Sequence, residues 1–507
     1  MSLINVFLER GLLVDPELLK LLKEIDTPLI VDILQQLEDK KFISKKTFLD
    51  NIDKITLILN NLKDKQEEGK EREMIKKTLN SLNTINKKES GEEGKSKVLR
   101  SWNIPTKKIV LDDFIKYFQS RFMELKSILQ DHRDLENLTT INKVSSQKQN
   151  ITIIGMIYAK RVTKNKNIIL ELEDLTGRTS VLISCTKEDV FKKAKELVLD
   201  EVIAVKCSGN SEILFANDII FPDAFGIKTK IKNEEYAVFI SDIHIGSTKF
   251  LEENFLKFLK WINGGIGSEQ QKELSQKIKY LFIVGDNIDG IGVYPGQEEM
   301  LTLTDVRQQY ERLAELIDSI RKDITIFMCP GQHDVSRIAE PQPIIDKRFA
   351  EKLHDIKNLF LVSNPALIEI GITKESPGLK VLMYHGANLH GLVDEIEELR
   401  LGKAIRTPTK IVKYALKKRH LALQHTSSDY LPFRETDPLV IKEVPDIVAT
   451  GDMHRTDVSM YNNILMIASS CWQSITPFEE KIGHEPDPCK VPILNMKTGN
   501  VNILDFN

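Results

Sequence analysis

Five short, predominantly apolar runs in the C-terminal half of the chain constrain its fold more than any other feature. They are YAVFI, YLFIV, ITIFM, KVLMY and DIVAT, at 236–240, 280–284, 324–328, 380–384 and 446–450. Runs of this kind are typical of strands that are buried on both faces. Helical stretches separate them, so residues 234–507 are predicted to fold as an α/β sandwich.

Each run leads directly into a polar cluster. The clusters are SDIH at 241–244, GDNIDG at 285–290, GQHD at 331–334, HG at 385–386 and GDMH at 451–454. Because α/β folds place ligand sites at the carboxyl ends of their strands, these side chains are expected to converge. Imidazoles beside carboxylates suit a centre in which two cations activate a water and stabilise the charge of a phosphodiester. One cluster alone carries little information, but the succession of clusters predicts a two-metal phosphodiesterase site.

The N-terminal part of the chain predicts helices separated by a charged linker. Residues 1–60 repeat leucine and isoleucine at helical spacing, which predicts a small helical module. Residues 61–108 are rich in charge and poor in large apolar residues, so they predict a flexible tether, although plain solvation is the simpler explanation of the charge run itself. Residues 109–145 return to helical periodicity, with Phe114 and Phe118 on the apolar face.

Residues 146–228 change period again, to short β-branched strands joined by turns such as Thr176-Gly177. Strands of this number and length predict a small barrel resembling the oligonucleotide-binding fold. Two uses of the barrel stay open, nucleic-acid binding and packing alone, and few exposed aromatic residues are visible for stacking bases.

Composition limits the cellular compartments in which the chain is expected and the partners that it is expected to bind. The chain has no apolar run of about eighteen residues, the length that a membrane span needs, and its N-terminus lacks the features of a signal peptide. Five scattered cysteines without a CxxC pair indicate a reducing compartment and no structural zinc. A cytoplasmic protein without a membrane partner is therefore expected. The net charge of −3 means that any nucleic-acid contact depends on local basic patches and metal ions.

The order of the polar clusters resembles the calcineurin-like metallophosphoesterases, whose pattern is D-x-H, G-D, G-N-H-D/E, H and G-H-x-H. Four longer segments narrow the resemblance to the small subunit of archaeal family-D DNA polymerase over residues 109–507: GDNIDGIGVYPGQ, PGQHDVSRIAEPQP, DPLVIKEVPDIVATGDMHR and CWQSITPF. That family implies several domains, with a helical module, a tether and a barrel before the phosphoesterase sandwich. It also implies removal of mispaired nucleotides from DNA 3′ ends and association with a large polymerising subunit. A sliding clamp is included as a further expected partner.

The resemblance implies a role for each matching residue. The first metal ion takes Asp242, His244 and His454, Asp286 bridges, and the second ion takes Gln332, His385 and Asp452. His333 corresponds to the general acid that protonates the leaving oxygen, and Asp334 is expected to orient it. Outside this pattern, His390 is interpreted as a loop residue, and Asn287 and Asp289 as residues that shape a turn.

Two residues that differ from the family pattern are both expected ligands of the second metal ion. Gln332 stands where Asn is usual, and Asp452 stands where His is usual. The resulting site is richer in oxygen and more negative, so the expected cofactors are two divalent ions, Mn²⁺ or Mg²⁺ in preference to zinc. The alternative is a degraded site in a scaffold subunit that stabilises the polymerase, but the six other matching positions favour retained catalysis. A free-standing phosphodiesterase for small substrates fits the barrel and helical module poorly.

A basic stretch without acidic residues follows the fourth cluster. It contains Lys403, Arg406, Lys410, Lys413, Lys417, Lys418 and Arg419. It predicts either a surface that tracks DNA phosphates beside the active site or a solvated helix face.

Overall fold

The computed structural model describes residues 13–14, 42–43, 96–102, 108–131, 135–373 and 376–507. The chain divides into two units, Met1–Lys97 and Val98–Asn507. In the first unit, β1 (Leu13–Val14) pairs in parallel with β2 (Phe42–Ile43). The rest of the helical module predicted for 1–60, and most of the tether predicted for 61–108, lie outside the described residues. Strand β3 (Ser96–Ser101) comes next.

Helix α1 (Leu111–Gln130) occupies the first part of the helical segment predicted for 109–145. The segment then continues as β4 (Leu138–Thr139) and a single 3₁₀ turn, so the predicted helix is too long at its C-terminal end. The buried face of α1 includes Phe122, Leu125 and Leu129, which pack against apolar residues of the following sheet. Helical spacing of apolar residues therefore places α1 against that sheet.

The next strands form a sheet that closes on itself. They are β5 (Gln149–Val162), β6 (Ile168–Asp174), β7 (Gly177–Ile183), β8 (Val202–Gly209) and β9 (Leu214–Ile220), with α2 (Glu188–Lys195) after β7. The strand order is β4-β5-β6-β7-β9-β8, and β5 also pairs with β8. Ile153, Leu170 and Ile203 are among the fully buried residues at its centre. The alternation of buried and partly exposed positions along β6 is the pattern of a sheet with one face inside.

The rest of the chain alternates strands and helices. The strands are β10 (Tyr236–Ile240), β11 (Ile278–Val284), β12 (Thr325–Cys329), β13 (Leu359–Leu361), β14 (Ala366–Ile370), β15 (Leu379–Met383), β16 (Ile447–Thr450), β17 (Asp457–Tyr461), β18 (Ile464–Ala468), β19 (Lys490–Asn495) and β20 (Val501–Asp505). The helices are α3 (Glu252–Ile262), α4 (Glu269–Gln276), α5 (Val306–Asp318), α6 (Glu351–Asp355), α7 (His390–Glu395), α8 (Glu397–Leu401), α9 (Thr409–Lys418) and α10 (Pro477–Ile482). Each of the five predicted strands is observed, as β10, β11, β12, β15 and β16.

These strands form two six-stranded sheets, so the fold is mixed α/β, as predicted. One sheet has the order β13-β12-β11-β10-β19-β20, and the other β17-β18-β16-β15-β14-β3. Apolar side chains from both sheets, among them Phe239, Phe282, Val381 and Ile467, share one buried cluster. Residues of α3 and α5 pack on the first sheet, and residues of α9 pack on the second. This layering explains why the strands are apolar on both faces.

Strand β3 lies within residues 61–108, where a flexible tether was predicted, so that prediction was wrong for this part of the chain. It is the edge strand beside β14 in the second sheet, and Val98 packs against the shared cluster. The Ser363 backbone N–H donates to Ser101 Oγ, and the Trp102 backbone N–H donates to Ser363 Oγ. An edge strand with one solvated face carries charged residues, so composition alone does not separate it from a linker.

Within the described part of the chain, no helix combines the length and apolar character needed to cross a membrane. The five cysteines are free thiols.

Candidate metal centre

The predicted polar clusters converge where the carboxyl ends of the two sheets meet. Those that follow β10, β11 and β12 come from the first sheet, and those that follow β15 and β16 come from the second. They surround a cleft of ≈ 220 Å³. Its walls are formed by His244, Asp286, Asp289, Tyr294, Gln332, His333, His390, Asp452, His454, Gln473, Thr476, Glu479 and His484.

Several candidate ligand residues have unusual backbone angles. Five non-glycine residues of the clusters have φ between 47° and 66°: Asp242, His244, Asp286, Asp452 and His454. This left-handed conformation costs a non-glycine residue roughly 1–2 kcal/mol. Such strain persists where surrounding structure enforces it and is concentrated at functional sites.

Glycine is required where two clusters approach each other. A Cβ atom on Gly331 would lie 2.2 Å from Asp286 Oδ1 and 2.7 Å from His385 Nε2. A Cβ atom on Gly285, whose φ is +81°, would lie 2.3 Å from His385 Nδ1. Larger residues at either position would displace the carboxylate or the imidazole that they pack against.

The first group of candidate ligands comes from β10 and β16. Asp242, His244 and His454 offer ligand atoms that all lie within 4.8 Å of one another. His454 Nε2 is 3.4 Å from Asp242 Oδ1 and 3.2 Å from His244 Nε2. Two imidazole nitrogens that face each other beside a carboxylate form a suitable donor set for a divalent cation.

The far side of each imidazole in this group is held by a carboxylate. Glu479 Oε1 lies 2.7 Å from His454 Nδ1, and Asp289 Oδ1 lies 3.2 Å from His244 Nδ1. A carboxylate accepts a hydrogen bond from the ring, so Nδ1 of His454 carries a hydrogen, and the proximity of Asp289 favours the same for His244. Burial alone would raise the pKa of Glu479, but its hydrogen bond to His454 lowers it to about 2.

The second group is arranged around Asp286. His385 Nδ1 lies 2.8 Å from the Val284 carbonyl oxygen, which fixes its hydrogen there, and Nε2 lies 3.2 Å from Asp286 Oδ2. Asp242, Asp286 and His385 form one potential ligand group, and His244, Asp286 and His333 form another. Asp286 is thus common to two potential ligand groups, one with His244 and one with His385.

The two residues that depart from the family pattern contact each other. Gln332 Nε2 donates to Asp452 Oδ1 at 2.7 Å, and Asp452 Oδ1 lies 3.9 Å from His385 Nε2. Among the described residues, the buried Gln332 Oε1 atom has no hydrogen-bond partner. The interpretation of His390 as a loop residue was wrong. His390 is the first residue of α7, and its Nε2 lies 2.8 Å from Asp452 Oδ2.

His333 lines the cleft, but Asp334 does not contact its ring. His333 Nδ1 is 2.8 Å from the Asp289 carbonyl oxygen, and Nε2 is 4.0 Å from Asp286 Oδ2. The Asp334 carboxylate accepts hydrogen bonds from the Tyr310 hydroxyl and from Asn287 and Gly331 backbone N–H groups. The expected orienting contact is therefore made by the Asp289 carbonyl oxygen, and Asp334 supports the loop through the hydrogen bonds that it accepts.

The electrostatics of the cleft favour ionised carboxylates beside imidazoles. Burial opposes ionisation of Asp286, yet its interactions with the neighbouring His385 and His333 imidazoles hold the pKa of Asp286 far below its usual range. Burial likewise opposes ionisation of Asp452, and His390 outweighs it, so the pKa of Asp452 is lowered. Burial and the nearby charge of Asp286 raise the pKa of Asp334 to about 6. The carboxylates on the cleft wall are thus the ones that remain charged.

The predicted basic patch is only partly available. Lys418 is fully buried and donates to Glu201 Oε2 at 2.5 Å, and Lys417 pairs with Glu196, so both attach α9 to the closed sheet. Arg419 is buried and donates to the Lys442 carbonyl oxygen. These three residues were wrongly predicted as phosphate contacts. The exposed remainder is Lys403, Arg406, Lys410 and Lys413.

Several residues of the cleft were not identified from the sequence. Glu479, which holds His454, forms a capping box with Thr476 at the start of α10, and that four-residue spacing was a readable signal. Gln473 donates to Asp289 Oδ1 at 3.1 Å. No local pattern identifies His390 or Gln473, because their partners are distant in the chain.

This donor set fits two divalent cations. Nδ1 of His385 and of His454 is hydrogen-bonded to an oxygen acceptor, and Nδ1 of His244 lies 3.2 Å from Asp289 Oδ1. All three imidazoles belong to potential ligand groups with Asp242 or Asp286. The Gln332 Oε1 atom, which is buried and has no hydrogen-bond partner among the described residues, is a further candidate oxygen ligand.

Known proteins with similar sequences are components of DNA polymerases. A family model that describes the B-subunit of DNA polymerases alpha and epsilon matches residues 237–458. The chain is 38% identical over 397 residues to the DNA polymerase II small subunit of Methanothermobacter thermautotrophicus, covering 78% of this chain and 80% of the relative. It is 36% identical over 406 residues to that of Pyrococcus furiosus, covering 79% of this chain and 64% of the relative, which is less than two thirds of its length.

A solved structure of a novel archaeal phosphodiesterase is similar over 53% of this chain and 98% of that chain, with 13% sequence identity and a TM-score of 0.26. This likeness is too low to support an argument about function.

Proposed function

Because this chain belongs to the DNA polymerase II small subunits of archaea, the small subunits of family-D DNA polymerase, we propose that it is the proofreading subunit of such a polymerase. The proposed activity is metal-dependent 3′–5′ hydrolysis of the terminal phosphodiester of DNA. The observation that carries the proposal is the convergence of three imidazole Nε2 atoms on Asp242 and Asp286 in one cleft. A two-metal sandwich of the calcineurin-like type is the corresponding fold.

Each ligand has a role in this proposal. Asp242, His244 and His454 would hold one divalent ion; Gln332, His385 and Asp452 would hold the other; and Asp286 would bridge them. When bound, such a pair supplies an activated water and neutralises charge on the phosphodiester. The oxygen-rich second group favours Mn²⁺ or Mg²⁺.

His333 is the proposed general acid. Its Nδ1 hydrogen is directed to the Asp289 carbonyl oxygen at 2.8 Å, so Nε2 is the atom free to hold and release a proton on the cleft side. Attack on the terminal phosphorus breaks the bond to the O3′ atom of the preceding nucleotide, and that oxygen takes the Nε2 proton. The products are a nucleoside 5′-monophosphate and a DNA chain shortened by one nucleotide.

Partners follow from the same family. We expect a large catalytic subunit and a DNA primer 3′ end to be bound, and a sliding clamp stays a prediction. Arg406 forms an ion pair with Glu485, the neighbour of the cleft residue His484. This ion pair supports the proposal that the exposed basic residues contact DNA phosphates beside the cleft. The closed sheet is proposed as an oligonucleotide-binding-like barrel.

The test is digestion of a 5′-labelled primer with a mismatched 3′ nucleotide, with Mn²⁺ or Mg²⁺, alone and with the large subunit. Wild type should produce primers shortened from the 3′ end, and Asp286→Asn should produce none, because its bridging charge is removed. A matched primer controls for mismatch preference. Absence of cleavage by wild type with both ions and both subunits would refute the proposal, as would equal cleavage by the variant.

A scaffold without nuclease activity is the second candidate. It is favoured by one observation: both oxygens of Asp452 already have side-chain partners, Gln332 and His390. Metal analysis of purified protein separates the two, because a scaffold with a degraded site would bind the large subunit and retain fewer than two ions.

A further inference from the structure

The carboxylate of Asp452 is held from both sides by two separate elements. Gln332, from the loop after β12, donates its Nε2 hydrogen to Oδ1 at 2.7 Å. His390, at the start of α7, places its Nε2 atom 2.8 Å from Oδ2. The Asp452 side chain is 2% exposed, whereas that of His390 is 46% exposed. A buried carboxylate with two fixed partners has one orientation.

The two oxygens of Asp452 face different surroundings. Oδ1 is directed towards the other candidate ligands, since it lies 3.9 Å from His385 Nε2. Oδ2 is directed towards His390. The Gln332 amide uses its Nε2 for Asp452, while its Oε1 atom has no partner among the described residues. Oδ1 and His385 Nε2 are thus close enough to contact one cation, whereas Oδ2 contacts His390.

We propose that His390 is a positioning residue for the second cation and acts through Asp452. Its Nε2–H group donates to Oδ2 and thereby presents Oδ1 to a hard divalent ion together with Gln332 Oε1 and His385 Nε2. The inference rests on the metal-dependent nuclease proposed above and deepens it, because it makes a residue of α7 part of the second cation position only.

The arrangement reverses the one found in the first ligand group. There, carboxylates of Glu479 and Asp289 hold the Nδ1 side of two imidazole ligands. Here an imidazole holds the outer oxygen of a carboxylate ligand. Partners of this kind fix the direction of the ligand atom, and their removal costs about 10–100-fold in metal affinity.

His390→Ala removes the donor to Oδ2, so the carboxylate of Asp452 can rotate and Oδ1 loses its fixed direction. The second Mn²⁺ should therefore bind about 10–100-fold more weakly, while the first keeps its wild-type affinity. His390→Gln keeps an N–H donor and should recover most of the second-site affinity. His354→Ala is the matched control, because His354 contacts the Ile345 carbonyl oxygen outside the cleft.

The experiment is a titration of the metal-free full chain with Mn²⁺, followed by calorimetry and by electron paramagnetic resonance, in which a bridged manganese pair gives a coupled spectrum. We expect two ions and the coupled spectrum for wild type, His354→Ala and His390→Gln, and its loss at matched Mn²⁺ concentration for His390→Ala. Two sites of wild-type affinity in His390→Ala would overturn the positioning role. Equal weakening of both sites, or no recovery in His390→Gln, would also overturn it. Fewer than two ions in wild type would instead refute the proposed nuclease centre itself.

Discussion

Substitution of Arg121 in α1 tests how much a buried ion-pair network contributes to the stability of this chain. The Arg121 guanidinium is fully buried and donates to Asp437 Oδ2 at 2.7 Å, to the Leu423 carbonyl oxygen at 2.6 Å and to the Tyr117 hydroxyl at 3.1 Å. His420 Nε2 lies 2.8 Å from the same Asp437 oxygen. Helix α1 also packs on the closed sheet. The network around Arg121 therefore connects α1, and with it the closed sheet, to the C-terminal sandwich. The perturbation is Arg121→Met, which keeps an apolar stem and removes the charge.

The structure sets the size of the effect. Asp437 is fully buried, and Arg121→Met removes the guanidinium that pairs with it. The buried carboxylate then keeps the Tyr117 hydroxyl, the Leu439 N–H group and His420 as its remaining partners. Breaking a buried ion pair in this way costs about 3–5 kcal/mol of the free energy of unfolding. Arg312→Met is the control, because Arg312 is 38% exposed and its two carboxylate partners are also exposed. Exposed pairs of this type contribute below about 1 kcal/mol.

The assay is urea unfolding of the full chain followed by circular dichroism, with both variants measured beside wild type. Arg121→Met should shift the unfolding midpoint well below that of Arg312→Met. The double variant Arg121→Met with Asp437→Asn should lose less than the sum of the two single changes, because the partners interact directly. A loss of under about 1 kcal/mol for Arg121→Met would show that the network does not secure α1, since that is the range of an exposed pair.

Four further outcomes are expected. Asp286→Ala should abolish hydrolysis with Mn²⁺ and Mg²⁺, measured on the mismatched primer, because the bridging ligand is lost. His333→Ala should lower the rate about 10²–10⁴-fold yet keep both metal ions, so metal loss in elemental analysis would contradict its role as an acid. Asp452→His alone should lower activity below that of wild type, whereas Asp452→His with Gln332→Asn should recover it and shift the metal preference towards ions that accept nitrogen ligands. Additive single effects in a double-mutant cycle would show that the two side chains, in contact at 2.7 Å, are uncoupled. Burial and the charge of Arg121 lower the pKa of His420 to about 4 in the folded protein. In the unfolded chain the pKa of this histidine is about 6.5, so between these two pH values the unfolded state binds more protons than the folded state. The free energy of unfolding should therefore fall as pH drops through that window, and His420→Gln should flatten the measured pH profile.

Local patterns in the sequence were enough to locate the strands and the ligand clusters. The apolar runs at 236–240 and 280–284 are observed as β10 and β11, because a strand buried on both faces must be apolar along its whole length. Asp242 and Asp286 follow those strands directly, so the direction of the chain alone brings them to one edge of the sheet. The mixed α/β class and the family resemblance were accessible for the same reason.

The tertiary structure alone decided which charged residues are buried and which groups orient the ligands. Lys418 belongs to a basic stretch that looks solvated, yet it is buried against Glu201, 217 residues away. His390 looks like a loop residue until Asp452, 62 residues away, is placed beside it. Hydrophobic periodicity records whether a residue faces a core, but it carries no information about which distant polar atom completes a hydrogen bond. That choice depends on how the sheets and helices pack, because only packing brings such atoms within bonding distance.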